Sequence, residues 1–373
     1  MNEPSSGDNK PIILMLGTQL GIVSGVATHL EQLFNSPLQK KYNFVHFEIG
    51  GQGKQEKILG KIKRFILSPL QLLVMLHKVN PDIVHFNTSF DAKAFWRDTV
   101  YFFVTRLSGK KTVYQVHGGA LPNEFFRGHK LLNNFLKRFL RTPDVIVVLS
   151  FIEQRIYYEF CRPSQLRVIP NAIDLEPYAK SLEKNFNKKI FNLVYLGSLT
   201  PGKGLTETVE ALGILNKDTK FPDFRYLIAG TGKLEVPLKN RIKELNLQDK
   251  VEFLGPLFGS NKWRFWNDAH LFIFPSHSEG LPYSLLESLA SGTPVITTAV
   301  GAIPEVVEDK THGLLVKPGD VEGLTNAIKL LISSPDRLKT QSLNCIKRAH
   351  EFYGIIRLAD QFDEIYQFLL RME

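Results

Sequence analysis

Two glutamates, Glu279 and Glu287, stand with seven residues between them in the run F-P-S-H-S-E-G-L-P-Y-S-L-L-E-S-L-A-S-G-T-P-V-I-T-T, residues 274–298. Carboxylates accept hydrogen bonds from hydroxyl groups. Gly280, Leu281 and Tyr283 fall where a helix is expected to begin, so their N–H groups have no acceptor inside that helix and suit an anion. Amide donors for a phosphate and two carboxylates for hydroxyls match the groups of a nucleotide sugar, which carries a diphosphate and two hydroxyl-rich rings. The plainer alternative is a favourable charge at a helix dipole and a second, solvated side chain.

The local elements must position these groups. Leu271–Phe274 reads as a short apolar strand and 275–280 as a polar turn. Pro282 suits a first helical turn. Leu281, Leu285, Leu286 and Leu289 recur at helical spacing, which buries one face. Gly292 stops the helix with Pro294 just beyond, and Val295–Thr298 is the next strand. Glu279 therefore sits in a loop at a strand's carboxyl end, and Glu287 about two turns into the helix.

With Gly301–Glu305 (G-A-I-P-E) added, this stretch closely resembles the E-x7-E signature of glycosyltransferase family 4, retaining enzymes of the GT-B fold that use nucleotide sugars. The resemblance implies that Glu279 holds the sugar hydroxyls, that Glu287 holds the ribose hydroxyls, and that the amides of Gly280 and Leu281 meet the diphosphate. It extends to other words. Gly197–Gly204 (G-S-L-T-P-G-K-G) resembles the family's G-R-L-x-x-x-K-G loop: Lys203 matches the lysine that neutralises the diphosphate, while Ser198 stands where the family has arginine. V-Y-Q-V-H-G-G, ending in His117-Gly118-Gly119, resembles the histidine strand that contacts the donor sugar. Ser24-Gly25 resembles the G-G loop with its first glycine replaced. Gly230 lies in a run similar to I-x-G-x-G. Phe253 and Leu254 belong to V-E-F-L-G, similar to the run whose backbone reads the base. Arg167–Asp174 resembles the I-P-N-G-V-D linker, with Ala172 for the usual glycine. By this resemblance His117, Lys203 and Glu279 are the catalytic residues. Gly25, Ser198, Lys203, Gly230, Phe253, Leu254, Gly280, Leu281 and Glu287 bind the donor.

A decoy overlaps the lysine loop. Gly197-x4-Gly202-Lys203 fits seven places of a P-loop, but the eighth, which should be Ser or Thr to hold Mg²⁺, is Gly204. This argues against a P-loop phosphotransferase. No D-x-D motif occurs, so a metal-bound diphosphate is not expected and neither a metal nor a cofactor is required; the donor is a substrate. A non-catalytic nucleotide-sugar or membrane-binding protein on the same fold stays open, supported by Ser198 and Ser24, as does a sugar-nucleotide epimerase.

The chain has 373 residues, 43% apolar and 22% charged, enough for two globular domains. Cys161 and Cys345 are the only cysteines and lie far apart, which excludes a disulfide framework or zinc cluster and fits a cytoplasmic setting. Met1–Lys10 is polar and makes a poor signal peptide; Phe65–Leu76 is too short to span a bilayer and contains Pro69. Residues 1–180 hold 23 Lys and Arg against 14 Asp and Glu, a net +9, whereas residues 181–373 hold 23 of each. A basic first half expects an acidic partner. Two basic amphipathic segments stand in it: Ile58, Ile62, Phe65 and Ile66 with Lys57, Lys61 and Arg64, and His129–Arg141. A solvated face on a Rossmann-like domain is the plainer reading of both segments and an anionic membrane at the inner face is the other; nucleic acid is not an expected partner.

Strands and helices alternate through both halves, so the expected fold is α/β: two Rossmann-like doubly wound domains, facing across a cleft as the GT-B resemblance implies. The expected domains are 1–174 for the acceptor, 175–350 for the nucleotide sugar, and 351–373, which contains the long amphipathic run Phe352–Leu370, returning to the first domain. The expected donor is a UDP- or GDP-linked hexose, and the acceptor a glycan or lipid-linked glycan.

Overall fold

The computed structural model describes residues 10–22, 24–51, 58–181 and 184–372. Lys57 and the polar start at 1–9 lie outside the described residues, as do the side chains of 58–65, which include Lys61 and Arg64. The chain divides into two compact units, residues 1–172 with 355–373, and residues 173–354. The sequence boundaries stood at 174/175 and 350/351.

In the first unit the strands are β1 (Ile12–Gly17), β2 (Asn43–Glu48), β3 (Ile83–Phe90), β4 (Lys111–Gly119), β5 (Val145–Val148) and β6 (Leu166–Val168). They form one parallel sheet in the order β2-β1-β3-β4-β5-β6. The helices are α1 (Gly25–Phe34), α2 (Ile58–Val79), α3 (Ala92–Leu107), the single turn α4 (Pro122–Phe125), α5 (Lys130–Phe139) and α6 (Phe151–Cys161). Alternate strand residues face opposite ways. Leu14 and Leu16 join a core with Leu72 of α2, Phe95 and Phe102 of α3, Phe139 of α5 and Tyr157 of α6. Ile13 and Met15 join the other core, with Leu30 and Leu33 of α1. Helix α2 runs through Pro69, which has no N–H to give the carbonyl one turn back.

The second unit carries β7 (Ile190–Leu196), α7 (Leu205–Leu215), β8 (Asp223–Ala229), α8 (Glu235–Glu244), β9 (Val251–Gly255), α9 (Gly259–Asp268), β10 (Leu271–Phe274), α10 (Tyr283–Ala290), β11 (Val295–Thr298), the turn α11 (Ile303–Val306), β12 (Gly313–Val316), α12 (Val321–Ile332) and α13 (Pro335–Phe352). Its parallel sheet has the order β12-β11-β10-β7-β8-β9.

The final helix is the long run that periodicity suggested over 352–370, starting three residues later and ending one later. Helix α13 stops at Phe352, and α14 (Ile355–Arg371) starts after Gly354. Helix α14 belongs to the first unit. Leu358, Phe362, Ile365 and Leu369 are buried in the core shared with α1, each worth roughly 1.5–3 kcal/mol. Two polar contacts fix its register: the Tyr366 hydroxyl bonds His85 Nδ1 at 2.8 Å, and the Tyr42 hydroxyl donates to Asp363 at 2.7 Å.

Candidate active site

Strand order decides where a ligand can sit in the second unit. The chain builds outward from β7 through β8 to β9, then returns to the other side of β7 with β10. At such a reversal the two following loops diverge, leaving a crevice at the strands' carboxyl ends. The loops are 197–204 after β7 and 275–282 after β10, and they are tied together. The His277 N–H donates to the Gly202 carbonyl at 2.8 Å, and Ser276 Oγ to the same carbonyl at 3.1 Å. Lys203 Nζ reaches across and donates to Glu279 Oε1 at 2.6 Å. The carboxylate side chain is 9% exposed and the lysine 25%, so the pair faces solvent on the lysine's side.

Gly204 caps α7 at φ +74°, and a Cβ there would stand 2.3 Å from the Pro275 carbonyl oxygen. The position has room for neither Ser nor Thr, the residues that would complete a P-loop. Gly301, at φ +56°, presses equally close on the Glu279 backbone: a Cβ would stand 1.9 Å from its carbonyl oxygen. The loop after β11 thus clamps the chain that carries the first glutamate.

Glu287 is the fifth residue of α10, one turn inside the helix rather than the two expected from sequence, because the helix begins at Tyr283 with Pro282 as its cap. It is 4% exposed, and both its oxygens are engaged. Lys262 Nζ donates to Oε1 at 2.6 Å, and the Trp266 indole N–H to Oε2 at 3.0 Å. Both donors come from one face of α9, a turn apart. Trp266 is fully buried, edge-on to Phe272. Sequence reasoning missed both residues; a lysine one turn before a tryptophan on an amphipathic helix was the only signal.

The other expected donor-site positions lie at the same edge of the sheet. Ser198 is exposed, its carbonyl accepting from the Tyr195 hydroxyl at 2.9 Å and its own hydroxyl 3.3 Å from Thr200 Oγ1. Gly230 follows β8 and donates its N–H to Gly255 at 2.8 Å. Phe253 and Leu254 end β9 half-buried, with the Lys239 ammonium 5.0 Å above the Phe253 ring. Gly280 and Leu281 lead into α10, Leu281 buried.

Gly25 and His117 belong to the first unit. There the reversal lies between β1 and β3. Gly25 opens α1 directly after the β1 loop, and a Cβ on it would meet nothing within 4 Å. His29, one turn on, brings its ring centroid to 4.4 Å from that of His117 at the end of β4. Asn87 Nδ2 donates to the Leu16 and His85 carbonyls at 3.3 and 3.5 Å, so its Oδ1 faces His117 as an acceptor at 3.1 Å. His117 must therefore carry its proton on Nε2. Burial pushes the imidazoles of His117 and His85 down to about 3, and burial holds His29 well below the usual range. All three rings are neutral at physiological pH. Asn87 and His29 were not singled out from the sequence.

A fold with two parallel sheets, each with chemistry-bearing loops at its reversal, is that of a two-domain α/β sugar-transfer enzyme of the GT-B type. Residues 179–352 match the family model of group 1 glycosyl transferases, and residues 41–177 that of glycosyltransferase family 4. The chain belongs to the family 4 glycosyltransferases. Escherichia coli UDP-Gal:alpha-D-GlcNAc-diphosphoundecaprenol alpha-1,3-galactosyltransferase is 26% identical over 319 residues, 80% of this chain and 78% of that one. Among solved structures, sucrose-phosphate synthase from Thermosynechococcus elongatus superposes with a TM-score of 0.78 at 19% identity, covering 96% of this chain and 99% of that one. Anabaena HepE, solved with UDP-glucose, gives 0.75 at 19% identity, covering 95% and 99%.

Proposed function

We propose that this glycosyltransferase moves a hexose from a UDP- or GDP-linked donor to a glycan or lipid-linked acceptor, with retention at the anomeric carbon and without a metal. Its place is surface polysaccharide or glycolipid assembly, at the inner face of a membrane. The observation that carries the reading is the Lys203–Glu279 contact between the two loops of the sheet reversal. A cation and a carboxylate are held there side by side, where a diphosphate and a sugar ring would lie side by side. In the proposed step the bond from C1 to the diphosphate breaks, and its electron pair stays on the phosphate oxygen. The acceptor oxygen bonds C1 on the same face and its proton passes to the phosphate. Lys203 and the amides near Gly280 stabilise the charge that develops. Glu279 holds the sugar, and Glu287 holds the ribose. A relative that acts on a diphosphoundecaprenol acceptor and a fold neighbour solved with UDP-glucose support the choice of donor and acceptor.

The test is a thermal-shift panel of UDP, GDP, ADP and ATP, each with Mg²⁺ and with EDTA, on the wild type and Glu287→Ala. A ligand at about a hundred times its Kd stabilises by roughly 2.7 kcal/mol. Stabilisation by UDP or GDP in EDTA, lost in Glu287→Ala, is expected. Stabilisation by ATP alone, with Mg²⁺ and indifferent to Glu287, would overturn the reading. Ser198, an exposed hydroxyl in place of a cation, favours a second reading in which the nucleotide sugar binds without turnover. That reading predicts the same shift and no product.

A further inference from the structure

Helices α2, α3 and α5 form one layer over the first unit's sheet, since all three feed the same core. They are stitched side by side. Ser68 of α2 and Tyr101 of α3 share a hydrogen bond of 2.6 Å, and Trp96 of α3 stacks on Phe135 of α5 with centroids 5.8 Å apart. The outer side of this layer is what a soluble helix layer should not show. On α3, Phe95, Asp98, Phe102 and Thr105 point inward. Trp96, Val100, Phe103 and Leu107 recur at intervals of four, three and four, roughly half a turn away from the buried set. They are 43%, 40%, 45% and 89% exposed. On α2, Leu72 and Leu76 are buried, and Leu70 and Val74 point the opposite way, 57% and 67% exposed. Helix α3 is thus apolar on two faces and covered on one, the pattern of an element made for a second apolar surface.

The charge around the stripe selects that surface. Residues 58–161 carry 15 Lys and Arg against 7 Asp and Glu, a net +8, nearly all of the chain's +9. On α5, Leu136 and Phe139 face the core, while Lys130 and Arg138 lie on the outward face, exposed. Among the described residues no ion pair holds either of them. An apolar stripe containing a tryptophan, beside unpaired basic side chains, is complementary to acyl chains beneath an anionic headgroup layer. No helix among the described residues is long and apolar enough to cross a membrane, so the contact is with one leaflet.

We propose that the outer face of the α2–α3–α5 layer docks on an anionic phospholipid bilayer. The inference deepens the membrane-proximal reading above and rests on it. It adds the α3 stripe, which the sequence did not single out, to the two basic segments of the sequence, which fall in the flanking α2 and α5.

The test is co-sedimentation of the full chain, without nucleotide, on vesicles of phosphatidylcholine and on vesicles of equal parts phosphatidylcholine and phosphatidylglycerol. The wild type should bind the anionic vesicles and not the neutral ones, with a blue shift in tryptophan fluorescence that Trp96→Phe removes. Val74→Ser/Leu107→Ser changes two highly exposed positions, which spares the fold, and should weaken binding at least about tenfold. Lys130→Glu/Arg138→Glu should weaken it at least about thirtyfold at low salt. Absence of binding to anionic vesicles, or binding by Val74→Ser/Leu107→Ser equal to wild type, would overturn the proposal. So would concentration-dependent self-association that hides Trp96 equally without lipid, which would make a second copy the occupant. UDP and GDP shifts measured without vesicles are independent of every outcome, so loss of the docking face and loss of the transferase reading are told apart.

Discussion

Acid should weaken the first unit through its buried imidazoles, and the size of the effect follows from the folded and unfolded states. His29 and His85 are 0% exposed. Burial lowers the His85 imidazole to about 3 and holds that of His29 well below its ordinary value. In the unfolded chain a histidine titrates near 6.5. At about pH 7.5 both states are neutral and neither residue costs anything. As pH falls through 6.5 the unfolded chain takes up protons that the folded chain refuses, so stability drops, and it goes on dropping until His85 itself protonates near 3. At about pH 5 an exposed imidazole is protonated roughly thirtyfold over neutral, which removes about 2 kcal/mol for each histidine kept neutral. His85 loses about 2 kcal/mol, a sizeable share of a typical 5–15 kcal/mol, and His29 adds a loss of the same sign. His117 is partly exposed and adds less. Native-state hydrogen exchange of peptides covering β3 and β4, corrected for intrinsic rate, measures this at about pH 7.5 and pH 5. His29→Phe keeps the ring against Phe362 and His117 but cannot titrate; its loss between the two conditions should be smaller than that of the wild type. Equal losses in the two proteins, or a wild-type loss under about 1 kcal/mol, would refute the reasoning.

Three further outcomes are expected. Lys203→Met should lower kcat for sugar transfer by about a hundred- to a thousandfold while KM changes little, because the missing charge matters most as the diphosphate departs; steady-state assays with the donor identified by thermal shift check this. Gly204→Ser should destabilise the second unit by roughly 1–3 kcal/mol in urea unfolding, since the backbone is left-handed there and the Pro275 carbonyl fills the space, and it should create no ATPase activity. Lys262→Met leaves the Glu287 carboxylate with only the Trp266 indole; the ammonium side chain is 26% exposed, so a loss of about 1–3 kcal/mol is expected rather than the 3–5 of a fully buried pair. Nucleotide titrations on that variant should show weaker binding in parallel.

The two carboxylates of the pair are each held by a lysine from a different part of the chain. Lys203 comes from the loop after β7 and Lys262 from α9. Each carboxylate is therefore ordered and paired before any ligand arrives. In the proposed reaction the sugar and ribose hydroxyls take over the glutamates' lone pairs while the lysines keep enough freedom, each about a quarter exposed, to turn toward phosphate.

What could be read from the sequence and what could not divide along the range of the interactions involved. The unit from Leu271 to Thr298 was legible to the residue at its strands, because an apolar tetrad, a proline-started helix and a glycine stop are local signals. Lys203 was legible through its loop, and so was the failure of the P-loop at Gly204, although the reason for that glycine, the Pro275 carbonyl, lies 71 residues away. The partners of Glu287 were not legible. Lys262 and Trp266 precede it by 25 and 21 residues, on a helix whose orientation depends on packing against Phe272. The same holds for His117: its strand and glycines announced it, but its protonation is set by Asn87 on the neighbouring strand, in turn held by the carbonyls of Leu16 and His85. Helix α3 was not legible, for another reason. Apolar on two faces, it has almost no amphipathic period to detect, and only the fold shows which face is spent on the core and which remains for a second surface.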